Sequence, residues 1–213
     1  IIGLLSSGST IVEVKNRSVD SICQVIEQEK VTLLPATPSF LYLLVASNSH
    51  LKYDLTSIRK ITYGTEVMPE SLLNKLYPIF PGVSLQQTYG LSEVGVLSSK
   101  YKSNDSTWVK VGGNGFETKV IDGILWIKSN FSMLGYIGVS DSKTDMDGWF
   151  NTEDRVEVEG EFIRILGRDS DLINVGGQKV LPIEVEEVLL SHESVSGVRV
   201  SSEPHNLLGQ IVV

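Results

Sequence analysis

The chain has a single cysteine, Cys23, among its 213 residues. No internal disulfide can form, and nothing points to an oxidising compartment. Cys23 lies among Val19, Ile22 and Ile26 on the apolar side of a predicted helix, where a thiol serves as packing. Histidine is nearly as scarce. His50, His192 and His205 show no metal-ligand spacing and no H-E-x-x-H occurs, so zinc is not expected and a Ser-His-Asp hydrolase has no support. Gly90-Leu-Ser-Glu-Val-Gly95 is not a nucleophile elbow, because its second glycine comes one residue too late for G-x-S-x-G. A Walker-type phosphate loop is also missing.

Positive charge is in deficit. With 18 Lys and Arg against 26 Asp and Glu, the net charge is −8, which argues against a nucleic-acid backbone or an anionic membrane as the main partner. The longest apolar run, VTLLPATPSFLYLLVAS, is broken by Pro35 and Pro38 and is too short to span a bilayer. The opening IIGLLSSGST has neither an initiating Met nor a basic segment and does not read as a signal peptide. A cytoplasmic location is the resulting expectation. Both ends read as interior sequence, GQIVV stopping inside a strand-like run, so a fragment of a longer chain is expected.

What is present is ordinary for a globular protein, 41% hydrophobic and 21% charged residues, enough for one to two domains. From 10 to 90, strand and helix signals alternate: TIVEV (10–14), a helix over 18–29, VTLLP (31–35), a helix opened by Pro38, IRKITYG (58–64), a helix opened by Pro69, and VSLQQTYG (83–90). That order implies a parallel sheet with right-handed crossovers. From 109 the pattern changes to strands alone. ETKVIDGILWIKS carries Asp122-Gly123 between alternating runs, a hairpin signal, and VEVEGEFIRIL repeats the form with a Glu-Gly turn. A helix over 183–191 behind Pro182 and a strand over 195–201 then begin an α+β unit. The fold class expected is therefore α/β: a parallel βαβ sheet over 1–108, a small antiparallel β unit over 109–169, and the start of a small α+β domain over 170–213.

Ligands of open parallel sheets bind at the carboxyl ends of the strands. Here those ends carry ATPSF, YGTE and TYGLSE. Gly64 and Gly90 allow close backbone approach. Tyr89 suits a nucleobase, Thr88 and Ser92 suit phosphate oxygens, and Glu93 suits a hard cation such as magnesium. The alternative is that such loops are rich in small polar residues in any protein. Asp154 precedes Arg168 by the length of one hairpin. A carboxylate matches vicinal ribose hydroxyls and a guanidinium matches phosphate or ribose oxygens; a surface ion pair is the competing reading. Arg168-Asp-Ser-Asp171 and Gly176-Gly177 read either as a plain surface turn or as a hinge facing a ligand.

Taken together, these segments resemble the adenylate-forming superfamily of acyl-CoA synthetases, peptide-synthetase adenylation domains and luciferases. TPSFLYLL resembles the segment after its second strand, YGTEVMPESL its adenine segment, and TYGLSE its Tyr-Gly-x-Thr-Glu motif. ILWIKSNFSMLGYIG, DGWFNTED and GRDSDLINVGGQKVLPIEVEEVL are similar to its "GELxIxGxxVxxGYxN", "DGWFRTGD" and "GRxDDxIxxGGxxIxPxEVExxL". The six occur in family order.

The resemblance implies activation of a carboxylic acid by ATP with Mg2+ to an acyl-adenylate, then thioester formation with CoA or the phosphopantetheine of a carrier protein. It implies that Gly64, Thr65, Glu66 and Tyr89 line the adenine pocket, that Ser92 touches phosphates and that Glu93 binds magnesium. Asp154 would hold the ribose and Arg168 would contact ribose or phosphate. A hinge at Ser170 or Asp169 would join a mobile C-terminal domain, with Gly176 and Gly177 on a loop that faces the thiol. Three residues depart from the family pattern: Ser92 for the commoner Thr, Glu153 for Gly, and Ser170 for Asp or Lys. The competing expectation is a nucleotide-binding or interaction protein of the same fold without ligase activity.

Overall fold

The structure, a computed structural model, describes residues 6–102, 106–113, 115–138, 143–192, 194–195 and 197–213. The first unit alternates α1 (Val19–Glu29), β1 (Leu33–Ala36), α2 (Pro38–Ala46), β2 (Lys60–Tyr63), α3 (Glu70–Ile79) and β3 (Ser84–Gln87), with the strands in the parallel order β1-β2-β3. The helix starts are set by local chemistry. The Ser18 side chain accepts from Ser21 N, and Thr37 Oγ1 accepts from Phe40 N at 3.1 Å with Pro38 in the first turn. Each such cap contributes about 1 kcal/mol. Cys23, Ile26, Leu41, Leu44, Ile61, Leu73, Leu76 and Leu85 form the buried core between helices and sheet. Full burial of each large aliphatic side chain contributes about 1.5–3 kcal/mol.

Two expectations change here. Residues 10–14 do not form a strand; alternation marks a face, but a strand also needs a neighbour to pair with, and these residues have none among the described residues. The run 83–90 is not one strand either. β3 ends at Gln87, and after Thr88 the chain enters β4 (Tyr89–Leu91), which pairs antiparallel with β5 (Gly95–Tyr101). The change to strands alone therefore comes at Thr88 and not at 109. Tyr89 and Val94 already belong to a second core with Val109, Leu125, Ile127 and Phe150.

That second sheet has seven strands in the order β4-β5-β6-β10-β9-β8-β7, adding β6 (Val109–Gly112), β7 (Phe116–Ile121), β8 (Ile124–Ser129), β9 (Phe150–Glu159) and β10 (Phe162–Arg168). Asp122 and Gly123 form the β7–β8 turn with φ of 52° and 78°, the two positive values of a type I′ hairpin. In the β9–β10 turn the central pair is Gly160-Glu161, one residue later than the expected Glu-Gly, because Phe162 pairs with Glu159 and Gly160 takes φ 62°.

The last unit is a four-stranded sheet, β12-β11-β14-β13, built from β11 (Ile173–Val175), β12 (Gln178–Val180), β13 (Ser202–His205) and β14 (Gly209–Val212), with α4 (Pro182–Leu190). The strand expected over 195–201 is not formed among the described residues. Pairing starts where a partner exists, at Ser201, whose N–H and C=O both bond Val213, and continues into β13.

Candidate functional site

Two register breaks build the site. Had the Phe162↔Glu159 register run on unbroken, Arg168 would face Glu153. A bulge between Ile165 and Gly167 shifts the ladder so that Arg168 pairs with Asp154, and cross-strand partners in an antiparallel pair share a face. The β8–β9 ladder also breaks, between Ile124 and Trp126. Thr152 fills that gap: its Oγ1 donates to Leu125 O at 2.7 Å and accepts from Asp154 N at 3.0 Å.

Asp154 is only 6% exposed. Its Oδ1 lies 2.9 Å from Arg168 Nε in an ion pair, and its Oδ2 accepts from the Tyr89 hydroxyl. Arg168 Nη1 donates to Thr152 O at 2.7 Å while 42% of that side chain stays open to solvent. The pair is thus no free surface ion pair, since one partner is buried and fixed from three sides. Burial pushes the Asp154 carboxyl above its usual range against the opposing pull of Tyr89 and Arg168. Burial, and then the Asp154 charge, push the Tyr89 phenol well above its ordinary value, so Tyr89 is a donor at every working pH. A carboxylate has about four lone-pair sites, and two are taken, which leaves acceptor capacity for a diol.

From the other side, the ends of β2 and β3 close the same cleft. Thr88 N and Oγ1 both donate to Tyr63 O, at 2.7 and 3.1 Å, so the Thr88 hydroxyl is committed to the fold. A Cβ on Gly64 would stand 2.6 Å from Thr88 O, and one on Gly90 2.8 Å from Val96 Cα; glycine is required at both. Thr65 takes φ 70°. Glu66 Oε2 accepts from Ser39 N at 2.9 Å and Ser39 Oγ at 2.6 Å, capping α2. The cleft, about 210 Å³, is lined by Gly64, Thr65, Glu66, Thr88, Tyr89 and Gly90 from one side and Asp154, Gly167, Arg168 and Asp171 from the other.

Gln87 was missed in the sequence. It lines the cleft, is 6% exposed, and its Oε1 has no hydrogen-bond partner. A buried acceptor left open is uncommon in a folded protein. The sequence shows only a polar residue at the end of a buried strand beside Thr88, and not that its acceptor is open.

Other expected residues lie outside this lining. Ser92 is exposed on the β4–β5 turn. Glu93, on the same turn, accepts from Tyr136 Oη at 2.8 Å and through its carbonyl from Met133 N at 2.7 Å. Asp169 pairs with Arg155, whose Nε lies 3.1 Å from its Oδ1. Ser170 is exposed in a 3-10 turn over Asp169–Asp171 and borders a second cleft toward α4. Gly176 and Gly177 form the β11–β12 turn with φ of 58° and 94°, outside both clefts. Among the described residues no group of three His, Cys, Asp or Glu could hold a metal. Lone Glu93 instead suits a cation that arrives with phosphate and water as its other ligands, the usual habit of magnesium.

Comparison with known proteins gives the chain a family. The model of the AMP-binding enzyme family matches residues 1–137. The chain belongs to the AMP-binding enzyme family. A probable CoA ligase (CCL5) of Humulus lupulus is 30% identical over 98% of this chain and 42% of its own length. The peroxisomal OPC-8:0-CoA ligase 1 of Arabidopsis thaliana is 28% identical over 98% of this chain and 42% of its own. The chain thus spans about two fifths of the curated relatives it matches. Among solved structures, the anthranilate CoA ligase AuaEII in complex with anthranoyl-AMP superposes with TM-score 0.82 at 23% identity, covering 96% of this chain and 43% of that one. An ATP-bound RpMatB-BxBclM chimera gives 0.84 at 22% identity, covering 98% and 44%. Both share the AMP-binding fold, the mixed parallel and antiparallel arrangement expected from the sequence. No helix among the described residues is long and apolar enough to cross a membrane.

Proposed function

We propose that this chain is the nucleotide-binding part of an AMP-forming acid–CoA ligase. The observation that carries the reading is the Tyr89–Asp154–Arg168 set, locked by two register breaks at the carboxyl end of a parallel sheet in a chain of the AMP-binding family. In this reading adenine enters between the Gly64–Glu66 segment and Tyr89, and the open Gln87 Oε1 accepts from its exocyclic amine. Asp154 uses its remaining lone pairs on the ribose hydroxyls. Arg168 keeps two donors on the protein and offers the rest to ribose or phosphate. Ser92 and Glu93 face the phosphates, and Glu93 would hold Mg2+, which would supply charge to screen the phosphate oxygens.

The reaction asks little acid–base chemistry of the protein. A substrate carboxylate is already ionised at neutral pH; one of its oxygens attacks the α-phosphorus, and pyrophosphate leaves with the bonding pair. Positioning and stabilisation of the developing charge carry the rate. A thiolate then attacks the acyl carbonyl and AMP leaves. CoA is favoured over a carrier-protein pantetheine as the thiol because the relatives are named as CoA ligases. Of the expected division at 1–108, 109–169 and 170–213, the second boundary enters here as a proposal, with 170–213 swinging about Asp169–Ser170 to bring Gly176 and Gly177 to the thiol side.

The test is calorimetry with AMP on the 213-residue chain, wild type against Gln87→Leu and Asp154→Asn, together with pyrophosphate exchange by the whole protein. Weakening of AMP binding in both variants supports the assignment. Unchanged AMP binding in both would sink it. Nucleotide binding without exchange by the whole protein would favour the non-catalytic alternative.

A further inference from the structure

Glu153 is the strained residue beside the site. Its φ of 60° is the left-handed conformation, which crowds a Cβ and which glycine adopts without that penalty. An exposed ion pair offsets little of such strain, so the 2.6 Å bond from Lys143 Nζ to Glu153 Oε2 calls for a role beyond stability. Backbone strain held next to a site is a reason to look for function.

Three observations place Lys143. Its carbonyl accepts from Asn151 N at 2.9 Å, which pins its backbone beside the strand that carries Asp154. Its ammonium lies within electrostatic reach of Arg168 and of Tyr136, the residue bonded to Glu93. Its side chain is 44% exposed, so the four-carbon stem is free to swing. Lys143 is therefore bonded to the chain neighbour of the residue assigned to the ribose. Glu93, Glu153 and Asp154 bring three carboxylates to this part of the chain, and a polyphosphate approaching it needs more positive charge than Arg168 alone supplies.

We propose that Lys143 is a polyphosphate-binding residue, held on Glu153 in the nucleotide-free chain and transferred to the outer phosphates of ATP when it binds. Glu153 is the partner with which the phosphates compete for it. The Glu153 carboxylate holds the ammonium beside the strand that carries Asp154. This rests on the nucleotide reading above.

The test compares magnesium–ATP with AMP by calorimetry on the 213-residue chain, because AMP lacks the outer phosphates and serves as an internal reference. Lys143→Ala should weaken ATP about fivefold, the range of a single exposed ion pair, and leave AMP unchanged, while Lys143→Arg restores ATP. Glu153→Gly relieves the backbone and frees the ammonium, so ATP should tighten relative to AMP. An unchanged ratio of ATP to AMP affinity in Lys143→Ala overturns the proposal. So does an equal loss of both nucleotides, which would make the pair a structural latch. A wild-type chain that binds neither nucleotide refutes the nucleotide reading itself, a separate failure.

Discussion

Asp154→Ala separates what the carboxylate does for the fold from what it does for a ligand. In the folded chain it accepts the buried Tyr89 hydroxyl and the Arg168 guanidinium. Alanine leaves the Tyr89 hydroxyl without an acceptor in a buried place, a loss of about 1–3 kcal/mol. Arg168 is partly exposed and re-solvates, adding at most about 1 kcal/mol. A total near 3 kcal/mol lowers the melting temperature by roughly 6–12 °C for a chain of this size, read by thermal denaturation. Tyr89→Phe deletes the stranded hydroxyl, so the double variant should recover at least about 1 kcal/mol against the sum of the singles. Strict additivity would refute the coupling. For the ligand, wild type should discriminate AMP from 2′-deoxy-AMP and Asp154→Ala should not. Equal discrimination by both removes the 2′-hydroxyl from Asp154.

Acidity gives an independent check on the same group. Burial raises the folded-state value of Asp154 above its unfolded one, so the folded chain holds that proton more tightly. Its contribution to stability is then fullest below the ordinary carboxylate value near 4 and is lost as pH rises through the raised one. Diol binding runs the other way, because it needs the carboxylate. Adenosine, which has no phosphate to titrate, should bind more weakly as pH falls through the raised value of Asp154. Asp154→Asn should flatten that profile; an unchanged profile in Asp154→Asn assigns the titration elsewhere.

Gly64→Ala places a methyl 2.6 Å from Thr88 O and should cost about 1–3 kcal/mol by overpacking; a melting temperature equal to wild type would mean the two strand ends are not held together as described. Glu93→Gln replaces a charged ligand with a neutral amide, so Mn2+ bound in the presence of ATP, followed by paramagnetic resonance, should fall several-fold with folding unchanged, and equal Mn2+ binding would release Glu93 from that role. Ser170→Pro fixes φ in the 3-10 turn and should depress one half-reaction of the whole protein far more than the other; equal losses would mean misfolding and no loss would mean no swivel there. Burial pushes the Cys23 thiol up to about 11, so a thiolate-selective reagent at pH 8 should label it only after denaturation, and rapid labelling of the native chain would show that α1 opens.

The parts of the fold that local chemistry decides were legible. Asp122-Gly123 sets a hairpin because two left-handed positions admit little else, and Thr37-Pro38 starts α2 because the side chain and the fixed φ both favour it. The parts decided by a distant partner were not. Residues 10–14 alternate like a strand yet have nothing to pair with among the described residues. The segment 83–90 reads as one strand, although a neighbour for its second half exists only in the other sheet. Motif likeness pointed to Tyr89, Asp154 and Arg168, whereas their bonding depends on the bulge at Leu166, which no residue pattern announces. Gln87 escaped because an open acceptor is visible only when every neighbour has been placed.

The joint at Thr88 explains why these residues act together. A single residue separates the end of the parallel sheet from the start of the antiparallel one, and its amide and hydroxyl both tie it to Tyr63 O. Gly64, directly after Tyr63, has no Cβ that would push the two strand ends apart. Gln87 therefore belongs to one sheet, with the 64–66 segment directly after its middle strand, and Tyr89 to the other, yet they are held a few bonds apart. Tyr89 then carries the coupling onward through its hydroxyl to Asp154, and Asp154 carries it to Arg168 at the threshold of the Asp169–Asp171 turn. A ligand that bridges Gln87 and Asp154 thus binds across the sheet junction, and Arg168 is the residue through which its arrival would be felt by the unit beyond the turn. Were that route real, AMP should protect the Asp169–Leu172 amides from hydrogen exchange in the wild type but not in Arg168→Met; protection in both would mean that the junction and the turn are independent.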